Sequence, residues 1–593
     1  MKIEKTRKTE LIAAGIFFTG VFVFFHFFYA YHLYFIEQLQ IFLFTPAHFL
    51  SYFSRPSILS SCIGDFLTQF YYLSGGGPVV ISLTLMLLWL LVRRFPMLYS
   101  GPDKACLWSL IPSVFSWIAL CDPEFPLAAV IGLIIAITSF LLYVSIGRET
   151  FRKMAGILMI PVLYTAAGSA YLLFAVLAVW YEFTVRGKKR VLPFAGMVIL
   201  ISVLVPPLMR QLYNITLLQS YTWIDEITRH VRFTNYLPIL SVPLTILVLT
   251  ISSERFSRFR GENVSIAAAS FAIACILSAG LLLNAGFTRE KILKLDYKAS
   301  ANRWEDIYEL SRKYRLRNNI ATYYTNMSLA RLGLMPEKLM DFYQPAATGL
   351  FIPVNASENY LTITFSNEVY WQLGDVNAAQ HSALLGMIFS PRARSSRLMK
   401  RLAEINIVNG EYEVAEKYLG ILGKTLFHRK WAESRRKFPG SEEECAQTPW
   451  IASKRLLIPS EDVLKAGNEY RKTLEMLIES NPSNRMALDY LLCYDLLIKD
   501  IETFRADIMK YLPGDNPLTP GKVYQETLLI SIVSGRDSRE NYHNYVFDPA
   551  ILKRIADYTG EYEETGGDGG KLIDRYADTY WFYYHFAEMK QTE

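Results

Sequence analysis

The chain has 593 residues, a formal net charge of only +6, and 52% hydrophobic residues. That charge excludes a broadly basic nucleic-acid surface, and the apolar residues are too unevenly spread for one soluble domain. The six cysteines form no CxxC pair and no zinc-ligand spacing.

From residue 11 to residue 287 the sequence is a series of apolar runs broken by short polar loops. A helix needs roughly 20 apolar residues to cross a bilayer. The first run, 11–35, is too long and too aromatic for a signal-peptide core and reads as a retained span. Clusters of Lys and Arg in short loops set the orientation of the successive segments. Lys2, Lys5, Arg7 and Lys8 place the N-terminus in the cytoplasm. Residues 36–77, with Arg55 as their one basic residue, then lie outside. A second span, 78–92, returns to Arg93 and Arg94. A third, 105–120, leads out to the break "DPEFP", which has no basic residue. A fourth, 127–146, returns to Arg148, Arg152 and Lys153. Residues 154–183 carry basic residues at both ends, so they are expected to go out and back as two short helices turning near Gly168. Further spans at 191–209, 237–251 and 264–287 leave every basic cluster on one side. The count is about nine spans, and everything after Arg289 falls outside, which in a Gram-negative envelope is the periplasm.

After Lys291, apolar residues recur at three- and four-residue spacing, as in soluble helices. Two segments match: "WQLGDVNAAQHSALL" from Trp371 and "NIVNGEYEVAEKYLGIL" from Asn406. Gly374 aligns with Gly410, Asp375 with Glu411, and Ala379 with Ala415. The offset of 36 residues is close to the 34 of a tetratricopeptide repeat. Residues 298–512 resemble that superfamily, whose stacked hairpins commonly bind protein segments. The expected fold is therefore all-α. A polytopic transmembrane bundle covers 1–288, a tetratricopeptide-like domain covers 289–516, and a helical extension covers 517–593. "TGGDGGK" (565–571) lacks the spacing of a phosphate-binding loop and reads as a flexible turn.

No HExxH, GxSxG, dinucleotide fingerprint or EF-hand loop is present. The informative residues are acids in the outward loops, because a carboxylate kept near the bilayer marks a functional site by default. They are Glu37 just beyond the first span, Asp65 in the same loop, and Asp122 and Glu124 in "DPEFP". Their layout resembles the GT-C superfamily of membrane glycosyltransferases, with a first-loop acid and a second-loop acidic pair. That resemblance implies a sugar transferred from a lipid-linked donor at the periplasmic face. Glu37 would then be the general base. Asp122 and Glu124 would hold a divalent cation, Mg or Mn. Arg55, Asp65, Arg210, Arg229 and Arg232 would meet the substrate. The competing reading is that Asp122 merely caps the following helix, and that the protein is a non-catalytic scaffold recruiting partners to an envelope assembly or transport complex. "EQLQIFLFT" (37–45) and "DFLTQFYY" (65–72) also resemble an uncharacterised family of Bacteroidota polytopic inner-membrane proteins with a helical-repeat tail. That resemblance implies a location and an architecture but no activity.

Overall fold

The computed structural model describes residues 2–95, 107–186, 188–223, 233–255, 262–353, 360–390, 393–459, 469–513 and 517–588. Among them there are helices and no strands. One isolated bridge joins Leu518 to Tyr545. Five segments are long and apolar enough to cross a membrane: Leu11–Phe28, Leu127–Ser145, Glu149–Thr184, Val191–Tyr213 and Ala267–Asn284. Gly76–Val92, Leu107–Ala119 and Phe233–Leu247 are shorter apolar helices. The chain divides into two compact units. The first holds residues 1–290 together with 391–397 and 420–432; the second holds the remainder.

In the first unit, the helix Leu127–Ser145 packs against Ile58–Thr68, Gly76–Val92, Glu149–Ala167 and Tyr171–Arg186. Its apolar faces meet in a core that includes Phe25, Leu85, Val130, Ile137 and Phe174. In lipid, helices gain little from hiding apolar surface and associate through close packing of small residues. Ile58–Thr68 does this with Ser60 and Gly64, one turn apart. A Cβ on Gly64 would sit 2.7 Å from the backbone of Ala128, and one on Gly132 would sit 3.8 Å from Ser60. The two contacts set the register of an antiparallel pair.

The segment from Glu149 to Arg186 is two helices, Glu149–Ala167 and Tyr171–Arg186. Arg152 Nε lies 2.7 Å from Glu182 Oε1. In one continuous helix those residues would stand about 45 Å apart, so the chain reverses between them. Gly168 makes the reversal. Its φ is +59°, and a Cβ there would meet the Trp223 carbonyl oxygen at 2.8 Å. The expected turn is therefore present. Arg152 itself is not the loop cation it resembles in the sequence. It is buried, and Glu182 also accepts from the Tyr143 hydroxyl at 2.9 Å.

The second unit is a succession of short helices. Tyr360–Leu373 is followed by Val376–Phe389, and Ser396–Asn409 by Tyr412–Leu422. Gly374 and Gly410 occupy the two turns with φ of +93° and +80°, a conformation that glycine adopts without steric cost. Asp375 caps the second helix of its pair through the Ala378 N–H at 3.0 Å. Ala379 and Ala415 are both fully buried. Later, Glu526 is completely enclosed, and its carboxylate accepts from the Tyr580 N–H at 2.7 Å.

Gly64→Ala should destabilise the first unit by about 1–3 kcal/mol through overpacking, although helix propensity alone favours alanine by about 1 kcal/mol; thermal unfolding in detergent gives the sign. Burial pushes the Glu526 carboxyl up to about 7. A raised carboxyl stabilises the folded form below its unfolded value, and that contribution fades as pH rises through the folded value. The second unit should thus lose on the order of 3 kcal/mol between roughly pH 4.5 and pH 7. Glu526→Gln should flatten that part of the pH–melting profile.

Candidate functional site

The polar residues of the first unit gather where the first apolar helix ends. That helix passes through a π-helical turn, Phe24–Phe28, and breaks at Tyr29 before Ala30–Gln38 begins. A new helix start leaves backbone N–H groups without partners. Here Glu290 supplies them: its two carboxylate oxygens accept from the N–H groups of Tyr31 and His32 at 2.7 and 2.9 Å. The same region satisfies carbonyls at the end of Ile111–Ala119. Asn284 donates to the Ile118 carbonyl at 2.8 Å, His32 Nε2 lies 3.0 Å from that of Leu120, and Tyr29 and Arg289 each donate to that of Cys121 at 3.1 Å.

The "DPEFP" break comes immediately after. Asp122 is buried, and its Oδ1 accepts from the Glu124 N–H at 3.1 Å. Its carbonyl accepts from the Phe125 N–H at 3.0 Å. Asp122 therefore caps the turn itself. The next helix begins after Pro126, which offers no side-chain cap.

Glu37, at the far end of Ala30–Gln38, is buried and pairs with His428, whose Nε2 lies 2.7 Å from Glu37 Oε1. The His428 Nδ1 is enclosed and has no hydrogen-bond partner among the described residues. Tyr72 meets the His428 ring edge-on at 5.2 Å and stacks on Phe427 at 5.4 Å. Two further bonds run alongside. Phe44 N–H donates to the Lys424 carbonyl at 3.0 Å, and Ser395 Oγ donates to the Gln38 carbonyl at 2.8 Å.

A second chain of bonds crosses the loop. Arg394 Nη1 stands 2.6 Å from His48 Nδ1. A guanidinium only donates, so Nδ1 accepts and the proton of His48 sits on Nε2. That nitrogen lies 3.3 Å from the Tyr52 hydroxyl, which donates to Asp65 Oδ2 at 2.7 Å. The Arg55 guanidinium lies 5.6 Å from the centre of the Tyr52 ring. The result is an ordered line from cation to carboxylate, Arg394–His48–Tyr52–Asp65.

Of the residues singled out in the sequence, Arg55 and Asp65 are thus brought together on Tyr52, and Asp122 joins Glu124 in one turn. Arg210 stands in the last turn of Lys188–Tyr213. Arg229 and Arg232 lie outside the described residues. A small space between Ala30–Gln38, Ile58–Thr68 and the break, about 10 Å³, has room for at most a single water molecule. Gln40 and Asp65 reach it; Glu37, Asp122 and Glu124 do not line it. Among the described residues no three His, Cys, Asp or Glu side chains are grouped to hold a metal. The partners His428, Arg394, His48 and Tyr52 carry no sequence motif, and two of them are distant in the chain.

An all-α chain with several helices long and apolar enough to cross a bilayer points to a membrane protein. The chain belongs to the family of unknown function DUF6057, whose model matches residues 5–587. No curated protein and no solved structure matches it.

His428→Phe keeps the ring against Tyr72 but leaves the Glu37 carboxylate buried and unpaired. It should cost about 3–5 kcal/mol of stability, and the double variant Glu37→Leu/His428→Phe should recover much of it. Melting temperatures of the two variants in detergent check both values.

Proposed function

We propose that the protein is a non-catalytic inner-membrane scaffold. In this reading about nine spans anchor it, its N-terminus is cytoplasmic, and its second unit is a periplasmic tetratricopeptide-like domain that holds partners in an envelope assembly or transport complex. One observation carries the reading. The acids of the first outward loop fasten chain to chain: Glu37 to His428, and Asp65, through Tyr52 and His48, to Arg394. Each bond secures a stretch, 391–397 or 420–432, from which the chain runs straight into second-unit helices. The apolar loop residues Phe49, Leu50 and Phe53 are exposed, which suits an interfacial seat on the bilayer. The glycine turns at Gly374 and Gly410, with buried alanines behind them, support the repeat assignment.

A second reading, a GT-C-like transferase, is favoured by one feature, the enclosed Nδ1 of His428 beside Glu37, a nitrogen with no hydrogen-bond partner among the described residues. There Glu37 is the base, Asp122 and Glu124 take the divalent cation, and Arg55, Asp65, Arg210, Arg229 and Arg232 meet the lipid-linked donor.

Glu37→Gln separates the two. The amide oxygen still accepts from His428, so a scaffold should complement a deletion strain at normal membrane levels. A transferase should lose activity by a factor on the order of 10² to 10⁴, and loss of complementation at normal levels would overturn the scaffold. Alkaline phosphatase fused after Lys298 should be active, as a periplasmic second unit requires.

A further inference from the structure

The second unit contains a groove of about 720 Å³, within the range of sites that enclose ligands. One lip is built from the helix Trp304–Tyr314, whose last residues open the run "RKYRLR" (312–317), and presents Tyr308, Arg312, Arg315 and Arg317. The groove is also lined by Phe582 and Phe586 of the helix Tyr580–Phe586. Arg315 ends the first helix with φ +44°, a left-handed conformation that is uncommon for a residue with a long side chain. The turn brings Arg315 and Arg317 onto the same lip.

Charge is unbalanced along this groove. Two acids line it, Asp341 and Asp578, and both are taken by cations that do not. Asp578 pairs with Arg554 at 2.6 Å and Lys522 at 3.2 Å, and Asp341 with Lys338 at 3.4 Å. Arg312 lies 5.7 Å from the centre of the Tyr308 ring, and its ion pair with Glu309 at 3.2 Å is exposed; such exposed pairs contribute little. Arg315 and Arg317 have no carboxylate within ion-pair distance among the described residues; Arg317 rests 6.0 Å from the centre of the exposed Tyr343 ring. Guanidinium groups grip carboxylates through paired N–H bonds, and aromatic walls take an apolar side chain.

The floor discriminates between anionic ligands. A saccharide needs polar groups aimed at its hydroxyls. Ser311 and Thr325 are instead bonded to each other at 2.8 Å, and Gln344 to the Leu339 carbonyl at 2.8 Å. We propose that this groove binds an extended acidic peptide segment of a partner protein, its carboxylates on the Arg312–Arg317 lip and an aromatic side chain against Phe582 and Phe586. The proposal rests on the scaffold reading and supplies the chemistry of its partner.

The test uses the full chain in detergent and a fluorescein-labelled, end-blocked peptide Glu-Asp-Phe-Asp-Glu, followed by anisotropy. Saturable binding is expected. Arg315→Asn, which suits the left-handed backbone, combined with Arg317→Gln should weaken it by at least about tenfold without lowering the melting temperature. The peptide Lys-Lys-Phe-Lys-Lys should not bind. Equal binding of the basic peptide, unchanged affinity in the double variant, or a preference for polygalacturonate over the acidic peptide overturns the proposal. Those results leave the scaffold reading standing, because Glu37→Gln decides it separately.

Discussion

A carboxylate enclosed among apolar helices must be paired, since an isolated buried charge costs far more than a fold can absorb. The first unit is organised by that requirement. Glu182 meets Arg152 and Tyr143, Glu290 meets two backbone N–H groups, Glu37 meets His428, and Asp65 meets Tyr52. Each pairing joins parts of the chain that hydrophobic packing alone would leave free to slide. Apolar contact is non-directional, so a bundle of greasy helices needs a few directional bonds to settle on one arrangement. The Arg152–Glu182 pair fixes the hairpin around Gly168, and Glu290 fixes the restart of the chain after Tyr29.

The same requirement bears on Asp122 in the "DPEFP" break. Asp122 is a turn former there, with its side chain on the Glu124 N–H. A short carboxylate accepting from the backbone two residues on is a common way to close a tight turn.

Features with a local cause were legible in the sequence. The apolar runs come from length and composition, and the reversal at Gly168 from basic residues at both ends of one run. The positive φ at Gly374 and Gly410 comes from glycine at the end of two matching helical patterns. The partners of the acids were not legible. Glu37 and His428 are 391 positions apart and His48 and Arg394 are 346 apart, and neither pair leaves a spacing or a motif. Arg152 shows the opposite failure: a cation in a run of cations reads as solvated until its partner, Glu182, is seen across the hairpin. The arginines of "RKYRLR" are plain in the sequence, but the phenylalanines that share their groove come from the far end of the chain.

The make-up of the first unit also bears on synthesis. Domains generally fold in order as the chain leaves the ribosome, yet this unit includes residues 391–397 and 420–432. Glu37 and His48 are therefore made and inserted long before His428 and Arg394 exist. Until those partners have been translated, the loop that carries the two earlier residues cannot close. The membrane part of this protein reaches its finished state only after much of the second unit has been made, so the two are coupled in time as well as in sequence.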